Sequence, residues 1–435
     1  MLQGGVNRVV AGTARAASKG VTWVLGVEAY DMAEVAASDR HCNRIVQAFY
    51  PEMFATLGYP TRVKRLDQLW RFVDVMHETR THFNMEQLLY GLTPEEFDLF
   101  KRATRIIDDH AQRQFGQRAH ASAALLRALH VLRLIKIVSG DERPAVLEVG
   151  PGCGYVGMLL VMEGFPYVST EVVQAFYLYQ SHMLSHVATN LRELATDEGD
   201  ILHIEQPTPG TAIHIPWWKW ATLTPERTKL SAGIMTSNHV LCEMHANSLA
   251  YLSVLSRRML SNHSGGGVFV FENWGYNLLH SEFSVLEKFM ENGFRLCHNE
   301  RLMSAMALAD RTPGWKVFEP DRHLVPAVAK AQPNLVLLRG LLDRVPRVKK
   351  SLVAARGRVN RLKDLLTPPT VGSPKVPDFK PGNPLSRRLT DGLAAAVARA
   401  KVNEPELHSF LKSHFGGNVP RHQDEDFFDL IGVRQ

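Results

Sequence analysis

Residues 146–157 read VLEVGPGCGYVG, an apolar run that meets an acid and then closely spaced glycines. Glycines in this position let a chain turn tightly from strand to helix and approach a ligand closely. Two spacings overlap here. Gly152, Gly154 and Gly157 spell GxGxxG, the dinucleotide-binding pattern, while Gly150, Gly152 and Gly154 spell GxGxG, with Glu148 two residues ahead. The acid separates the two readings. A dinucleotide sets an anionic pyrophosphate against the helix N-terminus, where a carboxylate adds repulsion. S-adenosylmethionine carries no phosphate and presents a cationic ammonium and a cationic sulfonium, which Glu148 complements directly or through water. A second acid, Glu171, closes the next apolar run, YVSTEV, seventeen residues after Gly154. A carboxylate there can accept hydrogen bonds from both hydroxyls of a ribose, which either ligand supplies.

These residues need a sheet to hold them, and the pattern supplies one. From residue 145 onward AVLEV, a helix over about 155–163, YVSTEV and the helical stretch QAFYLYQSHMLSHVATNLREL follow one another. Then come TAIHI, GIMTS, the helix HANSLAYLSVLSRRML, GVFVFENW, the helix SEFSVLEKFMENG and NLVLLRG. Near-continuously apolar strands alternating with helices predict a parallel sheet covered on both faces, a doubly wound α/β domain. Residues 1–140 read as a helical N-terminal region, from stretches such as LDQLWRFVDVMHETR and HASAALLRALHVLRLIKIVSG. The methyl-donor reading of the loop places the catalytic domain over 141–340. A basic helix over 341–366, a proline-rich linker over 367–385 and a helical tail over 386–435, ending in the acidic-aromatic DEDFFDL, complete the organisation.

The ExGPGxG order, the acid at the end of the second strand and the TSNHVLCEM segment after the fourth resemble class I S-adenosylmethionine-dependent methyltransferases, over roughly residues 120–340. The fourth-strand segment is most similar to that of the sugar O-methyltransferase group. The resemblance implies a Rossmann-like methyltransferase sheet and S-adenosyl-L-methionine as cofactor. It implies that Glu148, Gly150, Gly152 and Gly154 form the methionine-binding loop, that Glu171 holds the ribose, and that Ser237 and Asn238 line the cleft. It implies an O-methyltransferase acting on a hydroxyl of a sugar or glycan precursor. One departure stands out. Many members carry an Asp after the third strand that contacts adenine, and TAIHIPWWKW offers Trp217 and Trp218 instead, suited to stacking or to the core.

The sulfonium already makes its methyl electrophilic, so such an enzyme mainly aligns donor and acceptor and removes a proton. Bases are therefore sought at the carboxyl ends of the strands. If Asn238 caps the next helix, His239 and Glu243 stand four apart on one face, with His239 the base and Glu243 its orienting partner, while His245 turns away. Glu272, ending the fifth strand, is the second choice. His239, Glu243 and Glu272 could also meet around a divalent ion, but HxxxExH matches neither the HExxH zinc helix nor a zinc-finger spacing, and no metal is assigned. The alternatives are a small-molecule N- or carboxyl-methyltransferase, a non-catalytic binding protein that keeps the fold, and, from GxGxxG, a nicotinamide oxidoreductase.

Composition sets the limits. The 435 residues, 45% hydrophobic and 22% charged, suit a globular protein of more than one unit. Cys42, Cys153, Cys242 and Cys297 form no CxxC pair, which fits neither a disulfide framework nor a zinc knuckle and fits a cytoplasmic setting. The arginines and lysine near the N-terminus faintly resemble a transit peptide; an ordinary surface helix is the plainer expectation. The net charge of +6 is concentrated in 339–366, where nine Lys or Arg face two Asp. Residues 340–366 therefore suggest peripheral contact with an anionic membrane, or a solvated basic helix; nucleic acid is not expected, because aromatics are missing from the stretch. The expected partner is a small-molecule or glycan acceptor, and oligomeric state is not legible.

Overall fold

The computed structural model describes residues 24–41, 61–70, 91–197, 207–238, 240–241, 243–263, 267–272, 282–299, 303–308 and 384–416. The chain divides into two compact units, 1–308 with 384–435, and 309–383. All described residues belong to the first. The final strand expected at NLVLLRG, the basic helix 341–366, the linker over most of 367–385 and the DEDFFDL stretch lie outside the described residues.

In chain order the elements are α1 (Val27–His41), α2 (Pro94–Phe115), α3 (Ser122–Ser139), β1 (Val146–Val149), α4 (Tyr155–Met162), β2 (Tyr167–Glu171), α5 (Gln174–Ser185), β3 (Asn190–Glu193) and β4 (Thr211–Pro216). The short α6 (Trp217–Trp220), β5 (Ile234–Asn238), α7 (Ala246–Ser261), β6 (Val268–Glu272), α8 (Glu282–Glu291), β7 (Phe294–Asn299), β8 (Met303–Leu308), α9 (Pro384–Arg399) and α10 (Glu404–Phe415) follow.

The eight strands form one sheet in the order β3-β4-β2-β1-β5-β6-β8-β7. Pairing is parallel from β3 through β6, and β8 runs antiparallel to both β6 and β7. This is the expected doubly wound, Rossmann-like sheet. The chain leaves β1 toward β2 on one side and returns to β5 on the other, so the carboxyl ends of β1 and β5 border the crevice in which such sheets bind ligands. Two cores explain the apolar strands. Val146, Tyr167, Ile234 and Val270 pack with α2–α5, whereas Leu147, Val149, Val168, Met235, Phe269 and Phe271 pack with α7 and α8. Alternate residues of β1, β2, β5 and β6 thus serve opposite faces, both of them covered.

Three expectations change. The helix begun at Gln174 ends at Ser185, and Asn190–Glu193 instead forms the edge strand β3. Its anchor is a buried network. Glu193 accepts hydrogen bonds from Tyr177 and Ser181, Ser181 Oγ lies 2.8 Å from His214 Nδ1, and the Tyr177 ring stacks on His214 at 3.7 Å. Burial raises the Glu193 carboxyl, but His214, 3.4 Å away, and then the Ser181 and Tyr177 hydrogen bonds outweigh it and hold the group below the usual carboxylate range. Second, the strands after α8 form the antiparallel β7–β8 pair, which the sequence pattern did not show.

Third, the tail is part of the core. Leu389 and Leu393 of α9, and Leu407, Leu411 and Phe415 of α10, join the cluster containing α2 and α3. Arg388 donates to Val138 O at 2.9 Å, and Leu92 pairs with Val402 in an isolated bridge. Both α2 and α10 begin with a capping box and a proline in the first turn, at Thr93/Glu96 and Asn403/Glu406, and both end at a left-handed glycine, Gly116 and Gly416. Glu96 also takes the buried Arg133 guanidinium at 2.5 Å, tying the start of α2 to α3.

Candidate active site

The glycine loop adopts the geometry its spacing suggests. Gly150, Gly152 and Gly154 have φ of 66°, 59° and 76°, left-handed values that residues with a Cβ adopt at a cost. At Gly150 a Cβ would also stand 2.5 Å from the Val240 side chain, so a glycine is required there on two counts.

Gly157 has a different task. It lies in the first turn of α4, and a Cβ there would stand 2.2 Å from Tyr167 Cζ. It lets helix and strand meet, the role of the third glycine in GxGxxG, and such a packing role does not identify the ligand. The Tyr167 hydroxyl donates to Glu148 Oε2 at 2.6 Å. We expect Gly157→Ala to displace Tyr167 and lower stability by about 1–3 kcal/mol, measured by urea denaturation; a change within error would mean that the ring moves freely.

Glu148 lies beneath the loop, not at its mouth. It is 1% exposed, on the α4 side of the sheet, and its other oxygen accepts from Asn238 Nδ2 at 3.3 Å. Burial, against the opposing pull of these hydrogen bonds, raises its carboxyl to about 7. Near neutral pH it is therefore only partly charged. The repulsion it would offer a pyrophosphate is weaker than that of a fully charged carboxylate.

Glu171 stands where expected, at the carboxyl end of β2. Its Oε1 accepts from the Val172 and Val173 amides at 2.8 and 3.0 Å. Its Oε2 accepts from the Gly152 amide at 3.2 Å and from Gln180 Nε2 at 3.3 Å. A carboxylate offers about four lone-pair positions, and all four are taken, two of them at long range. Glu171 thus couples β2 to the loop. Burial raises its carboxyl while the surrounding N–H groups pull it back. Gln180 was not singled out from the sequence; it also donates to Gly152 O at 2.5 Å, and no local signal in its helix marks it.

Ser237 is 0% exposed and its hydroxyl donates to Val149 O at 2.9 Å, stitching β5 to β1. It supports the crevice instead of lining it, because its side chain turns into the strand beside it. Asn238 remains a lining residue. Its Nδ2 donates to Glu148 and to Thr236 Oγ1, at 3.3 and 3.2 Å, and its Oδ1 is buried with no hydrogen-bond partner. A buried acceptor left open next to a ligand loop is where a donor on a ligand gains most.

The helix after β5 starts at Ala246 with His245 as its cap, so Asn238 does not cap it. The shared helical face proposed for His239 and Glu243 is therefore not formed; Glu243 sits in a turn, its amide donating to Val240 O at 2.9 Å. His239 lies outside the described residues, as does the side chain of Glu272. Asn238 and Glu272 are register partners across β5 and β6, so the backbone of Glu272 stands beside Asn238 at the carboxyl end of the sheet.

Trp217 and Trp218 belong to the packing. Trp218 is buried with its ring 4.9 Å from Tyr30 of α1, and Trp217 Nε1 donates to Glu34 at 2.8 Å. Asp31 of the same helix accepts from Gln174 at 2.5 Å, and Glu34 pairs with Arg62. The first described helix is thereby fastened beside the carboxyl ends of β2 and β4.

The described residues thus hold a doubly wound sheet with a glycine loop after its first strand, an acid ending its second and a buried open acceptor ending its central return strand. No family model and no curated protein matches the chain. Among solved structures it is similar to a TehB-like S-adenosylmethionine-dependent methyltransferase from Corynebacterium glutamicum, at 13% identity and a TM-score of 0.30, covering 41% of this chain and 87% of that one. It is similar to a magnesium protoporphyrin IX methyltransferase from Synechocystis with S-adenosylmethionine bound, at 13% identity and a TM-score of 0.28, covering 54% and 98%. A glycopeptide N-methyltransferase is matched at 11% identity and a TM-score of 0.29, covering 45% and 100%. Overlaps this small leave ligand and reaction to be argued from the residues themselves.

Proposed function

We propose that the chain is an S-adenosylmethionine-dependent methyltransferase, and that its acceptor is a hydroxyl of a sugar or glycan precursor. The observation that carries the cofactor is the set of acceptors around the loop: Asn238 Oδ1 open and buried, Glu148 behind it, and Glu171 at the end of β2. These suit a ligand that presents donors and positive charge, as the methionine end of the cofactor does. Asn238 Oδ1 would accept from the ammonium, and Glu148, joined to the same amide, would favour its positive charge. Glu171 would hold the ribose, its long contact with Gln180 being the one most easily given up.

When bound, the cofactor supplies an electrophilic methyl group. The chain must then hold the acceptor in line and take its proton. The reading assigns proton removal to His239, which follows the last residue of β5 in the sequence, with Glu272, the last residue of β6, as the second choice. A hydroxyl acceptor needs such a base, whereas many amine and carboxylate acceptors do not, so the variants of these two residues separate O-methylation from the N- or carboxyl-methyltransferase reading.

The test is a methyl-transfer assay with radiolabelled cofactor against a panel of sugars, sugar nucleotides, amines and carboxylic acids. Label entering a sugar hydroxyl, with turnover reduced about 100-fold or more in His239→Ala or Glu272→Gln while S-adenosylhomocysteine still binds, supports the reading. Label entering only amines would replace the acceptor and keep the cofactor.

A further inference from the structure

Away from the loop, three histidines from two helices meet in the packed interior. His110 lies in α2, His182 in α5, and His186 is the residue that caps α5. One ring nitrogen from each lies within 4.8 Å of the others, and the ring centroids stand 4.7, 5.4 and 4.8 Å apart. His110 and His182 are each 1% exposed, His186 is half-buried, and Nε2 of His186 is buried with no hydrogen-bond partner. None of the three takes part in the loop or the crevice.

We propose that His110, His182 and His186 form a metal site of zinc type that pins α2 to α5. Imidazole is a ligand suited to zinc and its neighbours among the divalent transition metals, and unsuited to magnesium or calcium, which take oxygen. Three histidines around a tetrahedral ion with bonds of 2.0–2.1 Å stand about 3.3 Å apart at nitrogen. The rings reach that spacing by small side-chain rotations from separations already below 4.8 Å. Helical placement makes the set possible, since His182 and His186 are four apart on one face of α5 and His110 approaches from the facing helix. The half-buried His186 gives the ion a way in and leaves water as the fourth ligand.

The protonation states agree with this geometry. Burial lowers His110 to about 3 and His182 to about 4, and lowers His186 in the same direction; neighbouring imidazoles add to the shift of His110 and His182, and Arg113 to all three. The rings are therefore neutral at physiological pH, the form that binds a metal. Arg113 is the one charged group that contributes to all three shifts. It opposes a cation, but it is exposed and engaged with Asp109 O at 3.0 Å, so water screens it. Tyr179 and Phe115 pack their ring edges on His110 and supply the apolar wall.

This inference is independent of the methyltransferase reading and its test uses no substrate. Tag-free, chelator-stripped full-length protein is titrated with Zn²⁺ against a chromogenic competitor, and with Co²⁺ while the visible spectrum is followed. About one equivalent is expected to bind with micromolar affinity or better, with a cobalt absorption band and a rise in melting temperature. Because His182→Ala removes a fully buried ring and so also tests folding, His186→Ala, at a half-buried position, is the decisive variant. It should keep the circular dichroism of the wild type and bind Zn²⁺ about 100-fold more weakly, without the rise in melting temperature. Zn²⁺ bound equally by wild type and His186→Ala, or not bound at micromolar concentration, overturns the proposal.

Discussion

Replacing Glu171 by alanine is expected to abolish measurable binding of S-adenosylhomocysteine and to destabilise the fold by about 3 kcal/mol or more. Both effects have one origin. The carboxylate accepts from three backbone amides, of Gly152, Val172 and Val173, and from the Gln180 side chain, at 4% exposure. Alanine leaves these donors buried without acceptors, and the Gly152 amide belongs to the loop itself. Glu171→Gln keeps the shape but turns an amide toward a crowd of donors, so it should recover only part of either quantity. Isothermal titration and urea denaturation of the two variants check this. An alanine variant as stable as the wild type would show that the amides find water, and that Glu171 is no keystone of the loop.

The second large effect concerns pH. With its carboxyl at about 7 in the fold, against an ordinary 4.5, Glu148 holds its proton more tightly folded than unfolded. Its contribution to stability is thus greatest below pH about 4.5, declines as pH rises to about 7, and is constant beyond, a change of about 3 kcal/mol. Glu171, also raised by burial, acts in the same direction. The buried histidines act in the opposite sense below pH 6.5, since the unfolded chain takes up protons that His110 and His182 refuse. The raw stability curve therefore mixes the two. The difference between wild type and Glu148→Gln isolates the carboxylate, because the cost of misplacing one amide among Tyr167, Asn238 and the Gly157 amide is the same at every pH. That difference should move in favour of the variant by about 3 kcal/mol between pH 4.5 and 7. A cationic ligand above Asn238 would ionise Glu148 on binding. Affinity for S-adenosylhomocysteine should then rise about tenfold from pH 6 to pH 8 in the wild type and not in Glu148→Gln. A flat difference in stability would place Glu148 in contact with water.

The sheet was legible because its signals are local and redundant. Runs such as AVLEV and GVFVFENW are apolar on both faces, and the glycine spacing marks the turn from β1 into α4. The edge strand Asn190–Glu193 was hidden, because its four residues have no strand pattern and are held by a glutamate that meets Ser181, Tyr177 and His214 only after folding. The return of α9 and α10 onto α2 and α3 depends on contacts across nearly 300 residues, as between Arg118 and His414. Capping boxes at Thr93 and Asn403 could have placed both helix starts.

In the site, glycines and acids were found because their backbone roles demand particular residue types. What was misjudged was depth. Glu148 looked like a charge at the mouth of the loop and is a buried, partly protonated group, and Ser237 looked like a lining residue and is a brace between strands. Neither fact has a sequence signature, since alternation tells which face a residue takes and not how far below the surface it ends. The histidine cluster shows the same limit. The spacing of His182 and His186 in SHMLSH is visible in the chain, but His110 joins them only through the packing of α2 on α5.

The measurement that tests the central claim most directly is isothermal titration of the purified protein with S-adenosylhomocysteine and, separately, with NADH, at pH 8 where Glu148 is charged. Micromolar binding of S-adenosylhomocysteine, lost in Glu171→Ala, with no heat from NADH, is the predicted result. Binding of NADH alone would contradict the account: the loop would then hold a pyrophosphate, and the partly neutral Glu148 would be the reason it can.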